Sequence, residues 1–312
     1  MKYIKEAIRL SFNQLKIIFS IFLAIWGILS GIFRTELLFQ VLYICLLLII
    51  LISCINVGHW YIKIKRGFLS LKLMHERQVT LMRNSFEINA DYLFKHMSQE
   101  ELRTFVMIMG IDRTGKMKLN TTQGVAYYML KYLDEHYSCN NTLPSVEIQT
   151  QIDIYCDKKT CTDSEYRLAY TDCIEIKMNL VPQKAMGKEI IPCNLIMVAN
   201  SRKTEIDSIE CLEGDGTTNI IIPAIFEYLK KKDSYKSAMI GIIGSNKMSQ
   251  PYNVIFSQII NQFMRISILD RSFSLKHLHI SIREEDYHRW QLSLSQIEAY
   301  VYACSRFYRE FH

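Results

Sequence analysis

Two long apolar stretches near the amino terminus constrain the fold of this chain more than any other feature. Residues 15–33 carry one charge, Lys16, at their edge, and residues 37–58 carry none. The core of a bilayer is about 30 Å thick, so a helix needs roughly 20 apolar residues to cross it. The alternative is a buried core helix, but such a helix normally keeps a polar stripe. The pattern therefore predicts two membrane-spanning helices joined by the short turn 34–36.

The charged residues beside these stretches predict their orientation. Lys and Arg residues precede the first stretch and follow the second, and basic flanks favour the cytoplasmic side of a membrane. Residues 1–66 contain eight basic and two acidic residues, which accounts for the whole formal charge of +6. We therefore expect both termini in the cytoplasm. The rest of the chain is neutral overall, which argues against a nucleic acid as the main partner.

The sequence divides into a two-helix membrane hairpin with basic flanks at 1–66, a juxtamembrane linker at 67–78 and a soluble domain at 79–312. Strand and helix patterns alternate in that domain. Strands are predicted at 104–110, 146–154, 195–199, 238–243 and 278–282. Helices are predicted after Thr121 or Thr122, from about Ile222 to Lys232 with Pro223 in the first turn or at a kink, at 251–267, and after the capping box Ser295–Glu298. This alternation is typical of a three-layer α/β/α domain.

No strong catalytic signature is present in the sequence, and the nine irregularly spaced cysteines suit reduced cytosolic thiols. His277 and His279 share one face of a predicted strand, where a surface pair is the simpler interpretation than a metal site. No metal site and no cofactor are predicted. The strand, glycine loop and helix around Gly244, Ser245 and Asn246 could offer backbone amides to a diphosphate, although a plain tight turn would look much the same.

Asp91 and Asp112 each lie near the end of a predicted strand and are candidates to contact a base or ribose. The segments 238–246, 278–282 and 286–300 resemble the end of the macro-like domain in Thoeris anti-phage effectors, in which two transmembrane helices precede that domain. Residues 86–94 are similar to the first strand of that family, which places Asp91 on the position that faces the adenine. The next strand ends at Asp112, where the family has an asparagine or aspartate near its ligand.

The resemblance implies a macro-like domain that binds a signal nucleotide derived from ADP-ribose through Asp91, Asp112, Gly244, Ser245 and Asn246. It further implies a TIR-domain enzyme that makes the signal from NAD, assembly with other copies of the chain, and disruption of the lipid of the inner (plasma) membrane. No catalytic residue is expected.

Two other functions stay open. Residues 124–132 are similar to the helix that opens the STING domain, so a membrane-tethered receptor for cyclic dinucleotides is one alternative. A membrane-anchored ADP-ribosylhydrolase is the other, because macro folds support that reaction.

Overall fold

The computed structural model describes residues 20–28, 36–65, 68–72, 76–117, 124–159, 166–183, 190–203, 209–211, 217–243, 252–289 and 292–310, with five single positions before residue 20. Within this part of the chain the helices are α1 (Glu36–Lys65), α2 (Phe86–His96), α3 (Gln99–Arg103), α4 (Val125–His136), α5 (Pro144–Asp157), α6 (Ile222–Lys230), α7 (Tyr252–Leu269), α8 (Glu284–Arg289) and α9 (Leu294–Glu310). A π-helical turn, Thr217–Ile221, leads into α6. The strands are β1 (Phe68–Lys72), β2 (Gln78–Met82), β3 (Phe105–Asp112), β4 (Tyr137–Ser138), β5 (Cys173–Pro182), β6 (Ile191–Lys203), β7 (Ile209–Cys211), β8 (Ser237–Gly241) and β9 (His277–Ser281).

The chain forms two compact units, one of residues 1–69 with 293–299 and the other of residues 70–292 with 300–312. In the first unit, α1 contains the segment Tyr43–Ile62, which is long and apolar enough to cross a membrane. It is the one such helix among the described residues. Many of its leucine and isoleucine side chains are about half exposed.

The structure describes about half of the first predicted span, 15–33, and residues 20–28 within it are helical. The second apolar stretch makes a polar contact with a residue that precedes the first: Asn56 donates a hydrogen bond from Nδ2 to Oγ of Ser11, at 3.1 Å. The two-span hairpin therefore stays a prediction, with one helix of sufficient length described.

The second unit is built on a mixed sheet with the strand order β1-β2-β9-β8-β3-β6-β5-β4, and β7 pairs with β6. Strands β2, β9, β8, β3 and β6 run parallel, whereas β5 is antiparallel to β6. Successive residues are buried along β3 and β8, so both faces of the sheet are covered. One group of contacting helices is α2, α4 and α5, and another is α6 and α7. This mixed α/β arrangement agrees with the predicted three layers.

Most of the predicted strands are confirmed, because β3, β6, β8 and β9 coincide with the short apolar runs. Pro223 lies in the first turn of α6, where its missing N–H costs no helical hydrogen bond. The segment 67–78, interpreted from the sequence as a linker, contains β1 and the first residue of β2.

Three local predictions are wrong. The alternating segment 146–154 is helical and belongs to α5, because Ile148 and Ile152 lie on one buried face while Val146 and Ile154 are exposed. Residues 86–94, predicted as the first strand of the soluble domain, form most of α2. Finally, α9 begins at Leu294, so Ser295 lies inside the helix rather than at its cap.

Candidate functional site at the carboxyl edge of the sheet

The carboxyl ends of the five parallel strands meet at one edge of the sheet. After β3 the chain forms β4, β5 and β6, all on one side of β3, and after β8 it forms β9 on the other side. Chain connections thus diverge between β3 and β8, which makes this point a topological switch point. In open α/β sheets, ligands bind in the crevice that such a divergence leaves. The polar residues at this edge are therefore the first candidates for a binding site.

A β-bulge shapes the end of β3. The register with β6 shifts between Ile111 and Asp112, whose partners are Ala199 and Ser201, so that Asn200 is the extra residue. The buried side chain of Asn200 lies over Gly110, with its amide nitrogen 2.6 Å from the point where a β-carbon on residue 110 would stand. Bulges commonly re-aim a side chain in this way. The bulge places an amide at the carboxyl edge, beside the switch point.

Asp112 lies at the carboxyl end of β3, as the sequence predicts. Its Oδ1 accepts a hydrogen bond from the backbone N–H of Thr114 at 2.7 Å, and its carbonyl accepts one from Gly115 at 3.0 Å. Gly115 has a φ of +67°, which favours glycine. One oxygen of Asp112 therefore holds the turn that follows β3. Its contact with a ligand stays a prediction.

The ends of β2 and β9 form a second polar cluster. Asn89, in the first turn of α2, is fully buried and donates hydrogen bonds from Nδ2 to the carbonyls of Met82 and Asn84 and to Oγ of Ser281, at 3.3, 3.0 and 2.7 Å. These bonds fix the orientation of its amide. Among the described residues, neither Oδ1 of Asn89 nor Oγ of Ser85, both buried, has a hydrogen-bond partner.

A buried cation stands beside this cluster. Arg83 follows β2 and is 4% exposed, with its guanidinium 4.7 Å from the centre of the Tyr287 ring. Its Nε lies 3.4 Å from Oε2 of Glu284, in the first turn of α8. The end of β2 thus combines a positive charge with the amino terminus of α2, whose backbone N–H groups also favour an anion.

Asp91 occupies a different position from the one predicted. It lies in the middle of α2, where its carboxylate accepts hydrogen bonds from the hydroxyl of Tyr132 at 2.5 Å and from Nζ of Lys95 at 2.7 Å. Burial, and then the hydrogen bond to Asp91, raises the pKa of Tyr132. Asp91 therefore joins α2 to α4. Asp91 thus does not lie at the end of a strand. Its contact with a ligand stays a prediction that these hydrogen bonds do not support.

Gly244, Ser245 and Asn246, the predicted diphosphate loop, lie outside the described residues. The structure does describe the helix that follows them. Tyr252, the first residue of α7, donates from its hydroxyl to Oδ2 of Asp286 at 3.1 Å, and Nε of Arg283 donates to the same oxygen at 2.7 Å. The predicted loop 244–246 is therefore followed by α7, and the buried carboxylate of Asp286 holds the first residue of α7 at the carboxyl edge.

The two histidines of β9 have different environments. His277 is exposed, but His279 is 9% exposed and lies edge-on to Phe105, with ring centres 6.2 Å apart. Neither ring nitrogen of His279 has a hydrogen-bond partner among the described residues, and burial lowers its pKa to about 4. A surface pair is therefore the wrong description of His279. Within the described chain, no three His, Cys, Asp or Glu side chains are grouped so that they could hold a metal.

Two residues at this edge were missed in the sequence: Asn89 and Asn200. A signal existed for Asn89, because Phe86, Asn89, Ala90 and Leu93 have the spacing of one buried helix face and a polar residue in such a face is unusual. No local pattern marks Asn200, since its orientation depends on the bulge opposite β3.

Comparison with known proteins gives no family. No family model matches the sequence, and no curated protein matches it. Among solved structures, the Oceanobacillus iheyensis macrodomain with ADP is 10% identical over 74% of this chain and 96% of that chain, with a TM-score of 0.44. The same macrodomain with MES bound gives 11% identity, the same coverage and a TM-score of 0.43.

A poly(ADP-ribose) glycohydrolase mutant from Deinococcus radiodurans, in complex with ADP-ribose, is 11% identical over 74% of this chain and 88% of that chain, with a TM-score of 0.33. At this degree of similarity the matches define neither a family nor a ligand for this chain. The class of the domain, mixed α/β with a largely parallel sheet, follows from its own strand order and register.

Proposed function

We propose that this chain is a membrane receptor that binds a nucleotide of the ADP-ribose type at the carboxyl edge of its sheet. The observation that carries the proposal is the buried Oδ1 of Asn89, an acceptor in a fixed orientation without a partner among the described residues. A buried acceptor left unpaired costs about 1–3 kcal/mol. Because Asn89 is fully buried in the ligand-free chain, a ligand must displace the groups that cover Oδ1; one that then brings an N–H or O–H donor to it relieves that cost, and nucleosides carry both kinds of donor.

The charges of the same edge suit the phosphate part of such a ligand. Arg83 stands in the chain between Met82 and Asn84, whose carbonyls bind Asn89, and its guanidinium pairs with Glu284; Asn89 itself lies in the first turn of α2, and a helix amino terminus favours anions. The switch point between β3 and β8 supplies the crevice. Together these elements would recognise the donor groups of a base or sugar, and also a diphosphate.

The apolar segment Tyr43–Ile62 supports the membrane part of the proposal. We place the chain in the inner (plasma) membrane with both termini in the cytoplasm, so that the nucleotide site faces the cell interior. The signal would come from a TIR-domain enzyme that consumes NAD. Binding would make copies of the chain assemble and disrupt the lipid bilayer, as an anti-phage response. For this, the ligand must bind the assembled state more tightly than the resting state.

A receptor is proposed rather than an enzyme. Both carboxylate oxygens of Asp91 and Oδ1 of Asp112 accept hydrogen bonds within the protein, and among the described contacts neither carboxylate touches a histidine or a second carboxylate. A general base needs an available proton acceptor within reach of the substrate. Turnover of an ADP-ribosylated protein by the purified chain, lost in Asp112→Ala, would instead identify a hydrolase.

Calorimetry on the full chain in detergent micelles tests the receptor. ADP-ribose, ADP and a cyclic dinucleotide are titrated into the wild type, Asn89→Leu and a control, Asn179→Leu, at an exposed position of β5. We expect ADP-ribose to bind the wild type and the control alike, and to bind Asn89→Leu at least about tenfold more weakly. Binding of the cyclic dinucleotide alone would favour the STING-like alternative, and binding of none of the three would contradict the proposal.

A further inference from the structure

Two buried asparagines of β6 differ in what their amides contact. Asn194 and Asn200 are each 8% exposed. The Nδ2 atom of Asn194 donates hydrogen bonds to three backbone carbonyls between Leu102 and Phe105, at 3.3, 3.3 and 2.8 Å. The amide of Asn200 lies over Gly110, and no hydrogen bond joins it to another residue in the part of the chain that the structure describes. A buried amide normally has partners, so the hydrogen-bonding capacity of Asn200 is unused within this part of the chain.

The backbone holds Asn200 in position without using its amide. Asn200 is the extra residue of the bulge, and the residues before and after it, Ala199 and Ser201, keep their pairs on β3. Its side chain fills the space over Gly110 that a β-carbon would need. The bulge sets the direction of the amide and the glycine gives it room. The amide is therefore placed before any ligand arrives, as a binding group should be.

Asn89 and Asn200 lie at two separate places along the carboxyl edge. Asn89 contacts Ser281 at the end of β9, whereas Asn200 belongs to β6 and lies over β3. In the strand order, β8 and β3 separate β9 from β6. Neighbouring strands are about 4.8 Å apart, so the two amides are roughly 10–15 Å apart along the edge. A single ligand that reaches both amides must therefore be elongated and must carry polar groups at both of its ends.

We infer that Asn200 binds the hydroxyl groups of a terminal sugar, and that this contact distinguishes a nucleoside diphosphate sugar from a nucleoside diphosphate. A primary amide presents an N–H donor and a carbonyl acceptor side by side, and two neighbouring sugar hydroxyls can pair with both. ADP-ribose carries a free ribose beyond its diphosphate, and ADP does not. This inference rests on the proposed function, because it assigns the second end of the same ligand to the β6 end of the same edge.

The preference for ADP-ribose over ADP is the quantity that tests Asn200. Calorimetry on the full chain in detergent micelles compares the two compounds for the wild type, Asn200→Leu, Asn200→Ser and a control, Asn179→Leu, at an exposed position of β5. We expect the wild type and the control to bind ADP-ribose about tenfold more tightly than ADP. Asn200→Leu should lose this preference and keep its affinity for ADP. Chemical unfolding is the second readout, and Asn200→Leu should be at least as stable as the wild type, because the amide has no partner in the described chain.

The possible results separate this inference from the proposed function. An unchanged preference in Asn200→Leu overturns the inference and leaves the nucleotide receptor in place, as does a wild type that binds ADP and ADP-ribose equally. Equal weakening of both compounds in the variant overturns it too, because Asn200 would then contact the part that they share. A wild type that binds neither compound contradicts the proposed function and the inference with it. If Asn200→Leu does not fold, Asn200→Ser replaces it, and failure of both to fold overturns the inference, since the fold would then depend on this amide.

Discussion

The side chain of Asn200 occupies the space above Gly110 that a β-carbon would need. Its amide nitrogen and oxygen lie 2.6 and 2.7 Å from the position of that atom. Real contacts of a β-carbon are not so short, so any side chain at residue 110 must push the asparagine away. The glycine and the bulge at Asn200 therefore act together, and this pair defines the shape of the carboxyl edge beside β3.

Replacing Gly110 by alanine should displace Asn200. We expect a loss of about 1–3 kcal/mol in the free energy of unfolding, the usual effect of overpacking, and weaker binding of ADP-ribose. Gly241→Ala is the matched control at the end of the neighbouring strand, because its β-carbon would make ordinary contacts of 3.5 Å with Phe86 and Val125. Chemical unfolding and calorimetry measure both variants. Equal stability of the two would contradict the steric argument.

The stability of the second unit should fall as the pH falls from about 6.5 toward 4, because of His279. Burial lowers the pKa of His279 to about 4 in the folded chain, while its ordinary value is 6.5. Above pH 6.5 the ring is neutral in both states and contributes no pH dependence. Below it, the unfolded chain binds a proton that the folded chain excludes, so folding is disfavoured by up to about 3 kcal/mol near pH 4.

His279→Phe should remove this part of the pH dependence, because phenylalanine cannot be protonated. Unfolding free energies at pH 7.5 and pH 5.0 give the comparison, with His136→Gln on an exposed helix end as control. A pH dependence in His279→Phe as steep as that of the wild type would show that other groups cause it.

Glu175 should stabilise the fold through three donors. It accepts hydrogen bonds from the hydroxyl of Tyr235 at 2.5 Å and from Nζ of Lys232 at 2.6 Å, and Lys177 lies 3.2 Å away. Burial alone would raise the pKa of Glu175, but the hydrogen bonds from Lys232, Tyr235 and Lys177 outweigh it and lower the pKa below the ordinary 4.5. Its contribution is therefore present above pH 4.5 and lost as the pH falls through the folded pKa.

Glu175→Gln should lower the free energy of unfolding by about 1–3 kcal/mol at pH 7, since Lys232 then loses its charged acceptor. Lys177→Gln, which removes only an exposed partner, should cost less than about 1 kcal/mol. Thermal unfolding of both variants provides the measurement. Equal costs would mean that the buried part of the cluster adds nothing.

Asp91→Ala should change stability rather than affinity. Removing the acceptor of Tyr132 separates α2 from α4, with an expected cost of about 1–3 kcal/mol. Glu135→Ala, which breaks an exposed pair with Lys131 at 3.9 Å, serves as the control and should cost under about 1 kcal/mol. If Asp91→Ala instead weakens ADP-ribose binding at unchanged stability, the role predicted from the sequence is correct.

A charge at the centre of the apolar helix should prevent stable membrane integration. Ile52→Lys places an ammonium near the middle of Tyr43–Ile62, at a cost of about 2.5–3.5 kcal/mol. Ile62→Lys, at the end of the segment, should be tolerated because its side chain can reach the interface. Alkaline extraction of membranes distinguishes the two. Full retention of Ile52→Lys would argue against a membrane span.

The sequence alone determined the features that depend on local composition. The short apolar runs at 195–199 and 278–282 are strands, because a run of that length, bounded by turns, suits a sheet buried on both faces. The apolar character of α1 required no tertiary information either. The position of Asp112 at the end of a strand was predicted correctly, because the end of a clear strand is a local property of the sequence.

Tertiary structure decided those features for which the same sequence pattern is compatible with two different local structures. In 146–154 the apolar residues alternate, but Ile148 and Ile152 also have helical spacing, and packing of that face against the domain selected the helix. Asn89 and Asn200 belong to two different segments of the chain. Only the order of the parallel strands brings these segments to one edge of the sheet, and only burial shows that Asn89 carries an acceptor unpaired within the described chain.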